Sequence, residues 1–328
     1  MIGQTVGWGI LAPGRIAHRF ADALRAVEGA ELVAVASRDQ SRADAFAGQY
    51  HAARAYGAYE QLLLDDRVDA IYIATPHRYH FDNARMCLEG GKHVLCEKPI
   101  TVTADEAASL VALSQERGLF LMEALWTVFL PIYEQVREWL DADVIGDPLV
   151  ITSNFGFRAQ RDPDGRLLNP GLTGGALLDI GVYNIAVSRW VMGRDPDSLS
   201  ARSILGETGV DEVTVASLQY GVGAFSQLTV TLRCQTRNDF TIYGPDGYIR
   251  IEPNFWEATR ATLVVNGQEK TVEKAFRLNG FEYEIDEAVS CIREGLAESP
   301  RMPHFASLGT MQVMDEIRRQ IQLKYPFE

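Results

Sequence analysis

Cysteine is scarce in this chain: of 328 residues only Cys87, Cys96, Cys234 and Cys291 carry a thiol, no two of them in a C-x-x-C spacing and none within a histidine cluster. That argues against a disulfide framework and against a zinc site, so no metal is expected. Positive charge is also short. Thirty-one Lys and Arg face 44 Asp and Glu, a formal net charge of −13, so no basic face is expected for nucleic acid or an anionic membrane surface, although a local pocket for an anion remains open. No apolar run approaches the roughly 18 residues of a membrane span, and the start lacks the basic opening of a secretion signal. Repeats and low-complexity tracts are absent as well. A cytoplasmic protein is therefore expected.

What remains is ordinary globular composition, 47% hydrophobic and 23% charged, in a chain long enough for two domains. "TVGWGIL" is a short apolar run, and after the turn "APG" the residues Ile16, Phe20, Ala23, Leu24 and Val27 recur at helical spacing. "ELVAVAS" is a second strand and "SRADAFAGQY" a second helix, with Ser41 suited to its N-cap. The alternation continues through a helical "YEQLLLD", the strand "VDAIYIAT", the helix "HFDNARMCLEGG" and the strand "HVLCEKP". "TADEAASLVALSQERG" then opens on a capping box of Thr103 and Glu106, and the strand "LFLMEA" follows. Strands alternating with helices predict a doubly wound, mostly parallel sheet covered on both faces.

Beyond about residue 125 the rhythm changes. "LPIYEQVREWLDA" and "GGALLDIGVYNIAVSRWVMG" are helical, residues 199–272 read mainly as strands, and two helices close the chain. In "GAFSQLTVTLRC" the residues Leu228, Val230 and Leu232 form an apolar face opposed by Gln227, Thr229, Thr231 and Arg233. The expectation is an α/β domain with a large open, mostly antiparallel sheet whose mixed face is either solvated or a subunit contact.

In a doubly wound sheet the first turn delivers a helix N-terminus to a phosphate. Here that turn is "GILAPGRIA", with Ala12, Pro13, Gly14, Arg15 and Ile16 around the phosphate position. Gly14 and Ala17 match the later small residues of G-x-G-x-x-G/A, while Ala12 stands where glycine is usual, and Pro13 after it favours a negative φ and extended geometry there. At the end of the second strand stand Ser37 and Arg38, with Arg42 nearby. A hydroxyl and arginines suit the 2′-phosphate of NADP; the other reading, NAD, has Asp39 accepting from a ribose hydroxyl.

"VLCEKPI" ends a buried strand in Glu97, Lys98 and Pro99, beside "ATPHRYH" at the end of the neighbouring strand. A lysine there can bond the nicotinamide ribose and steady an alkoxide, or act as a general base if burial lowers its pKa; alone, it is also compatible with a solvated strand end. In "GGALLDIGVYNI" Asp179 and Tyr183 stand four residues apart, on one helix face, and Gly174 with Gly175 would bring the helix start close to a ligand. A buried hydrogen bond between helix and sheet is the alternative for that polar pair.

Taken together, "GILAPGRIA", "ATPHRYH", "GKHVLCEKPI", "MEALWTVFLP" and "GGALLDIGVYNI" resemble the Gfo/Idh/MocA oxidoreductases over nearly the whole chain. The tail, with "EYEIDEAVSCIREG" and "YPFE", is most similar to the branch of dimeric dihydrodiol dehydrogenases and NADP-dependent D-xylose dehydrogenases. The resemblance implies a Rossmann domain over 1–125, then a substrate-binding and oligomerisation α/β domain over 126–328 whose open sheet makes a homodimer or larger homo-oligomer. It implies NADP-dependent hydride transfer on a sugar, polyol or vicinal diol. By position it places Lys98, Asp179 and Tyr183 in catalysis, Thr75, Pro76, His80 and Glu97 along the cofactor, and Trp126, Phe157 and Arg158 near the substrate. Reduction of a ketosugar or anhydrosugar, and a non-catalytic NADP-binding regulator, are the competing functions.

Overall fold

The computed structural model describes residues 5–328; the first four, on which part of the expectation about a secretion signal falls, lie outside the described residues. The chain divides into one compact unit of residues 1–126 and 277–307 and another of residues 127–276 and 308–328. Among the described residues no helix is long and apolar enough to cross a membrane.

The first unit is built by the strand and helix alternation. Its strands are β1 (Val6–Leu11), β2 (Ala30–Ala36), β3 (Arg54–Tyr56), β4 (Ala70–Ile73), β5 (His93–Glu97) and β6 (Leu121–Ala124). All pair in parallel, in the order β3-β2-β1-β4-β5-β6. This is the Rossmann order, which reverses direction at β1 and β4 and leaves a crevice at their carboxyl ends. Four helices cross over: α1 (Arg15–Leu24), α2 (Gln40–Tyr50), α3 (His80–Glu89) and α4 (Ala104–Arg117). Between α1 and the sheet, Phe20 stacks on Tyr72 with ring centroids 3.8 Å apart, and Trp8 packs edge-on against Phe20 at 5.5 Å. All three rings are fully buried.

Local details follow the sequence in part. The Thr103–Glu106 capping box of α4 forms as expected, with the Thr103 hydroxyl accepting from Glu106 N–H and the Glu106 carboxylate from Thr103 N–H. The N-cap of α2 is Asp39 and not Ser41; its carboxylate accepts from Ser41 N–H and from the Ser41 hydroxyl, at 2.9 and 2.6 Å. A carboxylate two residues ahead reaches that donor better than the hydroxyl of Ser41 itself. "YEQLLLD" forms only one 3₁₀ turn, Tyr59–Leu62, because the chain then bends at Asp65, whose carboxylate accepts from Arg67 N–H.

The second unit begins with α5 (Pro131–Asp141) and β7 (Val150–Gly156); α6 (Val182–Met192) precedes the strands β8 (Ser198–Leu205), β9 (Asp211–Tyr220), β10 (Ala224–Thr231), β11 (Phe240–Tyr243), β12 (Gly247–Ile251), β13 (Arg260–Val265) and β14 (Gln268–Glu273). They form one eight-stranded sheet, β14-β13-β12-β11-β7-β10-β9-β8, antiparallel except where β7 pairs with β10. Leu228, Val230 and Leu232 are buried while Gln227 is exposed, but Thr231 is buried too, its hydroxyl accepting from Arg233 N–H. The helices α7 (Glu282–Glu294) and α8 (His304–Ile321) end the chain, and α7 lies against α1 and β1 within the first unit.

Candidate active site

The first turn departs from its expected geometry. Ala12 has φ +72°, the left-handed region, and not the extended conformation expected before Pro13. Pro13 disfavours the right-handed helical region for its predecessor, but the turn needs the conformation that glycine supplies elsewhere, and alanine adopts it here. Gly14 N–H donates to Ala12 C=O at 2.8 Å around the buried Pro13, and α1 starts at once with Gly14 as N-cap and no side chain capping it. A Cβ on Gly14 would have only the Ala74 carbonyl within reach, at 3.9 Å. That open space beside an uncapped helix start fits a phosphate, with exposed Arg15 and part-exposed Ile16 supplying the first helical positions. Left-handed alanine costs roughly 1–2 kcal/mol, partly offset because glycine gains more freedom on unfolding. Ala12→Gly is therefore expected to raise the thermal midpoint by about 1–2 °C; a lower midpoint in calorimetry would contradict the strain.

At the end of β2 the side chains sort by use. Ser37 is buried, its hydroxyl accepting from Asp39 N–H at 3.2 Å, and Asp39 caps α2, its carboxyl held below the usual range by Ser41. Arg38 and Arg42 are exposed. Both lie near Tyr59, whose phenol is raised by burial and lowered by their charges.

The ends of β4 and β5 are tied together. The His80 ring, fully buried, sits 2.8 Å from Thr75 C=O and 2.7 Å from Pro99 C=O, and a neutral ring donates to only one of them. Burial lowers it to about 4, with the charge of Lys98 acting the same way. The Thr75 hydroxyl accepts from Asn83, and Pro76 is part-exposed beside it. Glu97 is buried, one oxygen accepting from the Tyr72 hydroxyl and the other from Lys98 N–H. Burial raises its pKa and the Lys98 charge opposes that. Lys98 itself is half-buried. Trp126 is buried in this unit, with the Arg19 guanidinium 4.8 Å over its ring and Phe281 packed at 4.8 Å.

In the second unit Asp179 and Tyr183 are both buried, but they do not share a regular α-helix: Asp179 lies in a π turn, Leu177–Gly181, that runs into α6, where Tyr183 stands. Such turns recur at functional sites. The glycines before it also do something other than expected. Gly175 has φ +124°, and a Cβ there would lie 2.2 Å from Asp211 Oδ1, while one on Gly174 would strike the Leu167 carbonyl at 2.7 Å. Both make room for protein and not for a ligand.

Sequence reasoning missed Arg166, Phe155 and, stacked behind Phe155, Trp256. Arg166 forks onto Asp179, Nη1 to Oδ1 at 2.7 Å and Nη2 to Oδ2 at 3.3 Å; it stands in the polar loop "RDPDGRLLN", where no periodicity marks it. Trp256 stacks on Phe155 with centroids 3.4 Å apart and planes 5° apart, and Phe155 lies 6.0 Å from the Tyr183 ring and 6.5 Å from Phe157. An aromatic wall thus flanks Tyr183, with Trp256 and Phe157 part-exposed and Arg158 exposed. Among the described residues no group of His, Cys, Asp or Glu could hold a metal ion.

Comparisons with known proteins agree with this organisation. Residues 6–125 match the Gfo/Idh/MocA oxidoreductase family, NAD-binding Rossmann fold, and residues 133–250 match the Gfo/Idh/MocA C-terminal domain. The trans-1,2-dihydrobenzene-1,2-diol dehydrogenase of Xenopus tropicalis is 36% identical over 330 residues, covering 97% of this chain and 99% of its own. The mouse protein of the same name is 37% identical over 334 residues, covering 98% and 99%. Among solved structures, a 3-ketoreductase from Actinomadura kijaniata in complex with NADP and TDP-benzene superposes with a TM-score of 0.87 at 28% identity, covering 97% of this chain and 98% of that one. An aldose-aldose oxidoreductase from Caulobacter crescentus shares the fold with a TM-score of 0.90 at 23% identity, over 97% of this chain and 98% of its own. With a Rossmann sheet, an open helix start at its switch point and both family domains matched in sequence, the chain belongs to the Gfo/Idh/MocA oxidoreductases and is an NAD(P)-dependent dehydrogenase.

Proposed function

We propose that the protein is an NADP-dependent dehydrogenase of a vicinal diol, sugar or polyol, with Tyr183 and Lys98 handling the substrate hydroxyl. One observation carries the substrate side: Tyr183 follows the arginine-paired Asp179 by four residues and lies beside a stacked aromatic wall. Polar groups that hold hydroxyls beside apolar surface suit a ring bearing neighbouring hydroxyl groups. The full-length relatives named for a dihydrodiol support the diol; aldose oxidation at the anomeric hydroxyl uses the same groups. NADP, held by Ala12–Ile16, Arg38 and Arg42 and lined by Thr75, Pro76, His80 and Glu97, supplies the hydride acceptor when bound. Tyr183 takes the hydroxyl proton, Lys98 steadies the negative charge, and Asp179 fixes the hydroxyl's orientation. Trp126, Phe157 and Arg158 complete the substrate contacts.

The 3-ketoreductase likeness favours one second reading, the same step run as reduction of a ketosugar. Absorbance of NADPH with a panel of trans-dihydrodiols, aldoses and inositols tests the proposal. Turnover on at least one diol or aldose is expected; tight cofactor binding without turnover on any of them would mean a regulator.

The preference for NADP resides in Arg38 and Arg42, because Asp39 is committed to its helix. Each charge-assisted contact to the 2′-phosphate is worth roughly 1.5–3 kcal/mol. Arg38→Ala is expected to shrink the NADP preference by about tenfold or more, read by titration; equal affinity of the parent for NAD and NADP would overturn it. We also assign the protein to the cytoplasm as a homodimer or larger homo-oligomer joined through the open sheet. Neighbouring Val150, Phe225 and Tyr243 expose an apolar patch on that sheet, and the four cysteines are free thiols.

A further inference from the structure

Asp211 opens β9, a place where an aspartate ordinarily faces water, yet it is fully buried. Its Oδ2 accepts from Leu177 N–H at 2.8 Å and from the Thr214 hydroxyl at 2.7 Å. Leu177 is the first residue of the π turn, and Asp179 stands two residues further on. The backbone before the turn is shaped around this carboxylate: Gly175 takes φ +124°, where any Cβ would lie 2.2 Å from Asp211 Oδ1. Tyr325 fixes the same stretch from another side, its hydroxyl donating to Gly174 C=O at 3.1 Å. A side chain remote in sequence therefore does what an N-cap residue does locally, satisfying a helix-start N–H.

A buried carboxylate is an expensive way to cap a helix. Burial pushes Asp211 up to about 7, against the pull of its hydrogen bonds from Thr214 and Leu177, and a local Ser or Asp would cap without that penalty. What the remote carboxylate adds is register. It ties the first turn of the helix to β9, so the point at which Asp179 leaves the π turn is set by the sheet and not by the helix alone.

We propose that Asp211 is a positioning residue for the reaction: through Leu177 N–H and Gly175 it fixes the π turn so that Asp179 meets Arg166 and Tyr183 follows at its working place. This rests on the reading that Asp179 and Tyr183 handle the substrate. The test compares Asp211→Asn, Gly175→Ala, their double variant and Tyr183→Phe in the full chain, with NADP and either trans-1,2-dihydrobenzene-1,2-diol or D-xylose. Asp211→Asn keeps one oxygen for Leu177 N–H and the Thr214 hydroxyl but sets a donating NH2 in place of the other, against the backbone N–H groups of Ala176 and Asp211 that the carboxylate also accepts from, and Gly175→Ala displaces the carboxylate without removing it.

Each single variant is expected to lower kcat about tenfold or more per folded molecule, to leave the Kd for NADP within about twofold, and to show Asp179 displaced from Arg166 in its crystal structure. The double variant is expected to be no worse than the poorer single one, because both act through one contact. Wild-type kcat in both single variants, or a loss that tracks only the folded fraction, would overturn the inference. If Asp211→Asn does not fold, Thr214→Val removes one donor and keeps the carboxylate; about a threefold loss of kcat at unchanged NADP affinity supports the role, and wild-type kcat overturns it. Should Tyr183→Phe be fully active, the reading of Tyr183 fails and this inference with it. Should Tyr183→Phe be impaired while Asp211→Asn and Gly175→Ala are not, this inference alone fails.

Discussion

Tyr183→Phe should lower turnover by about 10²-fold or more, the usual scale for losing a general acid/base, while NADP binds with nearly unchanged affinity. The substitution keeps the ring and therefore its packing 6.0 Å from Phe155; only the hydroxyl goes. A free phenol has a pKa near 10 and is a weak base at neutral pH, so the proposal needs a positive charge to favour phenolate, the part assigned to Lys98. Because the ring is buried among aromatic neighbours, the thermal midpoint should move little. Tyr183→His is expected to retain part of the activity, since imidazole carries a proton from a similar place. Full activity of the Phe variant across the pH range would remove Tyr183 from proton transfer and shift that task to Lys98.

Lys98→Met should be comparably damaging, for a different reason. Methionine keeps most of the apolar stem and removes the ammonium, so stabilisation of charge developing on the substrate oxygen is lost, a loss of about 10²–10³ in kcat where one such group is deleted. Folding should be nearly unaffected, because Lys98 is half-buried and its backbone N–H, which donates to Glu97, is retained. The buried Glu97 should respond. The Lys98 charge opposes the upward push of burial on its carboxyl, so the Met variant should hold Glu97 protonated to higher pH. Comparison of kcat with the calorimetric midpoint separates the outcomes. A cooperative unfolding transition at the parent's temperature with a collapsed kcat is expected; parental kcat would take Lys98 out of the mechanism.

Much of this was legible in the sequence, and the reason is physical. Apolar runs separated by amphipathic helices leave few arrangements other than a parallel sheet, and the five strands read from them are β1, β2, β4, β5 and β6 of the Rossmann order; the three-residue β3, Arg54–Tyr56, is too short and too polar to read. The capping box of Thr103 and Glu106 is a purely local device, and it forms. Features that depend on remote residues were not legible. The π turn at Leu177–Gly181 is held by Asp211, 34 positions away from Leu177, so the local pattern of "GGALLDIGVYNI" reads as plain helix with glycines free for a ligand. Arg166 reaches Asp179 from a loop without periodicity, and Trp256 meets Phe155 across about a hundred residues of chain. Ala12 is a third kind of miss. Its left-handed backbone is imposed by the turn against the preference of its own side chain, which no propensity reports.

The central claim is that the protein moves hydride between a carbinol carbon and a nicotinamide. It is tested most directly with a trans-dihydrodiol or aldose that carries deuterium on the oxidised carbon, incubated with the enzyme and NADP and followed by mass spectrometry of the reduced cofactor. One deuterium per NADPH formed, with slower turnover than the unlabelled substrate whenever hydride transfer limits the rate, is the predicted result. NADPH free of the label, or deuterium released to water while substrate is consumed, would contradict it.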